Sequence, residues 1–120
     1  MHFTSCIVNF CNARGIIARV RVGRNGFPDT ASGMVLALQR FLSTVESQND
    51  PLDWHKVTPG QLAALFVSWS ANHYGIIPLY KLRDIEILSD DDPRNPDYIY
   101  LVYCDRLDPQ GRPTVEFTGV

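Results

Sequence analysis

Arg24-Asn25-Gly26-Phe27-Pro28-Asp29, followed by Gly33 and the apolar run Met34, Val35, Leu36, Leu38, Phe41, Leu42, joins a basic strand to an amphipathic helix, and its reading decides the fold. Asn25-Gly26 tolerates positive φ, and Pro28 presets the backbone just ahead of Asp29 or Thr30, either of which suits a helix cap. The predicted helix covers residues 31–45, where Val35, Leu38, Leu42 and Val45 recur at helical spacing with Met34 and Phe41 beside them. The turn makes sense without any ligand: Gly26 permits a tight backbone, Phe27 plugs an edge of the core, and Pro28 with Asp29 starts the helix.

Before this turn, residues 3–10 read as a strand with Cys6, Val8 and Phe10 on one face and Ser5 and Asn9 on the other. Asn12-Ala13-Arg14-Gly15 supplies turn chemistry. Residues 16–22 return with Ile16, Ala18, Val20 and Val22 on one face and Ile17, Arg19 and Arg21 on the other, which predicts an N-terminal hairpin with one apolar face.

After it, residues 46–56 read as a polar connector. Thr58-Pro59-Gly60-Gln61 then carries a capping box with Pro at the first helical position. Leu62, Leu65, Phe66 and Trp69 form the core stripe of this second helix, and Gly75 is its expected stop. The period then changes to two. Residues 76–82, 84–88, 98–104 and 114–118 are strand candidates, and Tyr98 to Cys104 is apolar enough for a central position. The expectation is a single α+β domain over residues 1–120. Its sheet is mainly antiparallel, with about five strands and two helices packed on one face, in the chain order ββααβββ.

A length of 120 residues with 45 % hydrophobic content suffices for one core and leaves little room for a second. No run approaches the roughly 18 apolar residues of a membrane span, and the N-terminus lacks a signal-peptide pattern, so a cytoplasmic protein is expected. Cys6, Cys11 and Cys104 make an odd, scattered set, poor as a disulfide framework and read as reduced, buried small hydrophobes. Cys6, Cys11 and His2 lack the second ligand pair of a zinc site, so no metal is expected. Asp90-Asp91-Asp92 has no EF-hand spacing and reads as a solvated loop, with mimicry of nucleic-acid phosphates toward a basic partner as the alternative.

The net charge of −2 hides an asymmetry. Residues 1–45 carry five arginines against the single acid Asp29, while residues 46–120 carry twelve acids against six Lys and Arg.

The chain resembles small bacterial and phage proteins in which an N-terminal strand runs into a W-D-G-Y-P signature, then a Gly and a leucine-rich helix. The matching residues are Arg24-Asn25-Gly26-Phe27-Pro28, Gly33, Leu36 and Leu38, with Leu62-Ala63-Ala64 and Asp97-Tyr98-Ile99-Tyr100 in similar order. The resemblance implies a fold and a mobile-element origin. By analogy with phage antagonists it implies an inhibitor of a host defence protein. Arg24-Asn25 replaces the signature's Trp-Asp, so no role of that carboxylate carries over.

Three functional classes follow. The first is a cofactor-free protein-interaction module, monomeric or homodimeric, binding through Arg19, Arg21, Arg24, Asn25, Phe27, Tyr98 and Tyr100, since Arg and Tyr are enriched at interface hot spots. The second is a single-stranded nucleic-acid binder, if Tyr98 and Tyr100 share an open sheet face with the arginines. The third is an enzyme with a Cys/His pair such as Cys104 and His73. The twelve acids of the later chain rank a protein partner above a polyanion, and the absence of a phosphate loop, H-E-x-x-H or G-x-S-x-G motif places enzyme chemistry last.

Overall fold

The computed structural model describes residues 4–23, 26–28, 33–71 and 85–119. Along the chain run β1 (Cys6–Asn12), β2 (Gly15–Val22), α1 (Met34–Gln48), a 3₁₀ turn (Trp54–Lys56), α2 (Pro59–Ala71), β3 (Ile85–Leu88), β4 (Tyr98–Leu107) and β5 (Pro113–Gly119). Arg24, Asn25, the Asp29 and Thr30 cap candidates, His2, His73, the Gly75 stop and the strand expected over 76–82 lie outside the described residues.

The strands form one sheet in the order β3-β2-β1-β4-β5. Three neighbouring pairs are antiparallel, but β1 and β4, at the centre, run parallel, so the sheet is mixed rather than mainly antiparallel. The spatial order also departs from simple hairpin succession, because β4 leaves its sequence neighbour β3 and pairs with β1. Burial explains the choice. Cys6 to Cys11 are all buried, and a strand covered on both faces takes its best partner in another near-continuous apolar run, which Tyr98 to Cys104 provides.

Side-chain parity sorts the two faces. Cys6, Val8 and Phe10 of β1, Val20 and Val22 of β2, and Tyr100, Val102 and Cys104 of β4 join Met34, Leu38, Phe41, Leu62, Phe66 and Trp69 of the helices in one core. Within it Phe10, Phe41, Phe66 and Trp69 meet ring to ring, with Phe41 and Phe66 edge-on at 5.3 Å between centroids. At the hairpin end, Gly15 adopts φ 115° and Asn12 Oδ1 accepts the Arg14 N–H. A bulge then pairs Cys11 with Ile16 where Phe10 pairs with Ala18, so Ile16 leaves the apolar face expected of it and is 48 % exposed.

The helices follow their patterns with three corrections. Gly33, without a side-chain cap bond, is the N-cap of α1, and the Met34 N–H is met instead by the Phe27 carbonyl at 2.8 Å. The connector expected over 46–56 is partly ordered: α1 continues to Gln48, and Trp54 is buried in the 3₁₀ turn with its indole N–H on Glu46 Oε2. Thr58 and Gln61 form the expected reciprocal cap, each side chain accepting the other's backbone N–H. Leu65, assigned to the core stripe of α2, is 42 % exposed and lines a cleft with Leu52 and Val57.

Candidate functional site

The face of the sheet opposite the helices is built from β2 outward. Arg19 and Arg21 pair with Asn9 and Ile7 of β1 on one side and with Leu88 and Glu86 of β3 on the other, so all share that face. The segment after β3 must reach β4 across two intervening strands. It passes over Arg19, whose Nη1 donates to the carbonyls of Ser89 at 2.7 Å, Asp90 at 3.4 Å and Asp92 at 3.5 Å. One guanidinium thus collects backbone oxygens of the crossing, among them the Ser89 carbonyl, which also accepts the Asp92 N–H.

Arg94 closes the crossing. It grips Glu86 with two parallel bonds of 2.6 and 2.7 Å and Asp92 with bonds of 3.0 and 2.8 Å. Its side chain and backbone N–H, with the charge of Arg19 nearby, hold the Asp92 carboxyl down to about 2. Glu86 is also held below its ordinary value, by Arg94 first and by Arg21 to a smaller extent. Ser89 Oγ donates to Asp91. The acidic run is therefore laid onto the basic strand, and the asymmetry of the sequence becomes a patch of interleaved sign: Arg19, Arg21 and Arg94 with Glu86 and Asp92. On this face Ile7, Asn9 and Cys11 are buried, as is Pro96 of the crossing, and Asn9 Oδ1 has no hydrogen-bond partner among the described residues.

The tyrosines fall on the other side. Tyr98 is in register with Cys6 and Tyr100 with Val8, the helix-facing positions of β1, so parity separates both from Arg19 and Arg21. Tyr98 packs half-buried against the core. Tyr100 is wholly buried, its hydroxyl donates to the Gly26 carbonyl at 2.7 Å, and burial pushes its pKa up. Gly26 in turn donates to the Thr4 carbonyl and lies so close to β1 that an added Cβ would sit 2.7 Å from the Ser5 carbonyl carbon. Phe27, half-buried, continues this strap to α1. The structure thus brings Arg19 and Arg21 together, puts Tyr98 and Tyr100 into packing roles on the other face with Phe27 on the strap to α1, and adds Glu86, Asp92 and Arg94. Only the opposite charges of Asp90-Asp91-Asp92 and the hairpin arginines hinted at that last set in the sequence.

Among the described residues no three His, Cys, Asp or Glu side chains gather as metal ligands would. Cys104 lines a cleft of about 310 Å³ with His55, Asp105 and Arg14. Its thiol is buried and pushed up to about 11, chiefly by desolvation, and Cys6 is pushed up to about 12. These are protonated thiols at neutral pH, the reverse of an activated nucleophile. Asp105 is engaged by the Ala13 N–H at 2.7 Å. No helix of the described residues is long and apolar enough to cross a membrane. No family model, curated protein or solved structure matches the chain.

Proposed function

We propose that this chain is a protein-interaction module whose contact surface is the interleaved-charge face around Arg21, Arg94, Glu86 and Asp92. The supporting observation is the acidic crossing clamped onto the arginine strand. A polyanion approaching Arg19 and Arg21 would meet Glu86 and Asp92 as well, and Tyr98 and Tyr100 face away from it, so stacking and phosphate contact are not combined there. A protein partner can match alternating signs, and such complementarity fixes register and partner choice. The finer reading, a phage or prophage inhibitor of a host defence protein, rests on the resemblance around Gly26-Phe27-Pro28.

The test is affinity capture from nuclease-treated lysate with the native chain and the Arg21→Glu variant, whose fold is checked by circular dichroism. A single protein retained at fixed stoichiometry by the native chain and lost with Arg21→Glu supports the reading. Retention that disappears with nuclease overturns it in favour of a nucleic-acid partner.

A further inference from the structure

The chain has two tryptophans, and their indole N–H groups are treated differently. Trp54 donates to Glu46 at 3.0 Å, whereas the Nε1–H of Trp69, a residue 7 % exposed, has no acceptor among the described residues. Buried indoles normally find one, because an N–H removed from water and left unpaired is costly. Trp69 lines a recess of about 100 Å³ between α1 and α2, with Phe41 beside it. Val45, Asn49 and Leu65 wall this recess and also wall a larger cleft of about 730 Å³, so the two spaces adjoin.

The lining selects the occupant. The larger cleft is mainly apolar, through Val45, Pro51, Leu52, Val57, Ala64 and Leu65. Its polar side chains are engaged or balanced: Gln61 and Asp53 accept the backbone N–H groups of Thr58 and His55, Asn49 donates to the Val45 carbonyl, and the charges of Asp53 and Lys56 cancel. A charged ligand would therefore meet no net counter-charge to offset its desolvation. In the recess the Thr44 hydroxyl is likewise taken, by the Arg40 carbonyl at 2.8 Å. We propose that the cleft binds a small neutral ketone or ester, its apolar body against Leu52, Val57 and Leu65 and its carbonyl oxygen accepting the Trp69 Nε1–H. An apolar space of several hundred Å³ with one specifying polar group has the make-up of a small-molecule site. It lies on the helix side of the sheet, so the proposal stands independently of the function proposed for the interleaved-charge face.

Nuclear magnetic resonance of the ¹⁵N-labelled intact chain tests this with acetophenone and with isopropylbenzene, which matches its shape but has no acceptor. Acetophenone is expected to move the Trp69 indole resonance, assigned by its loss in Trp69→Phe, downfield and saturably at millimolar concentration or below. Isopropylbenzene is expected to bind about tenfold more weakly, the loss of one hydrogen bond to a buried donor, and without that downfield shift. Leu65→Arg, at a position already 42 % exposed, is expected to abolish the acetophenone response with an unchanged circular dichroism spectrum. No saturable response to acetophenone, equal binding of isopropylbenzene, binding that leaves the Trp69 resonance in place, or a response that survives Leu65→Arg would each overturn the proposal.

Discussion

Gly26 is fixed by what surrounds it. Its neighbours across the gap are the backbone of Ser5 and Cys6, which cannot swing away as a flexible side chain would, so Gly26→Ala must push the strap off β1. The expected cost is about 1–3 kcal/mol, read as a lowered denaturation midpoint at unchanged m-value. Tyr100→Phe tests the same contact from the other side. It deletes the hydroxyl that serves the Gly26 carbonyl inside the core while keeping the ring, for an expected loss of about 1 kcal/mol. A midpoint unmoved by both substitutions would mean that the strap contributes nothing to stability. The sequence made Gly26 legible as a tight spot, but not its partners, because Ser5 and Tyr100 lie far from it along the chain.

Among the elements, the acidic crossing gives a dependence on pH with a definite sign. The folded-state value of Asp92, about 2, lies below its ordinary 3.8, and Glu86 and Glu46 are lowered too. Such groups stabilise the fold above the ordinary carboxylate range, and the contribution is lost as pH falls from about 4 through about 2. Arg94→Gln removes the main cause for two of them, so the transition temperature of that variant should fall less steeply over this window than that of the native chain; equal slopes would refute the assignment. Glu46 is held by the Trp54 indole and by Arg112, a pairing Arg94→Gln leaves intact. Helix elements were the most legible, since the Thr58–Gln61 cap and the Leu62, Phe66, Trp69 spacing are local signals. The site was the least legible. Parity along one strand says which residues share a face, but only the register between β1 and β4 says that Tyr98 and Tyr100 lie opposite Arg19 and Arg21.

For the whole molecule, α+β composition and a five-stranded sheet beside two helices follow from periodicity. The parallel central pair does not, because nothing local distinguishes a strand that joins its sequence neighbour from one that passes over two strands to reach a third. That pair also orders events during translation. Cys6 lies opposite Tyr98, a partner that leaves the ribosome 92 residues later. Until then the hairpin and helices can assemble, but one edge of their most apolar strand stays open to other nascent chains. A polypeptide stopped at Ser89 should therefore be recovered aggregated or held by chaperones rather than as a smaller folded unit, and a soluble, cooperatively melting product of that length would show that β1 needs no β4. Nonsense or frameshift lesions after β3, though they spare most of the core-forming residues, are thereby expected to leave cells with proteotoxic debris instead of partial protein.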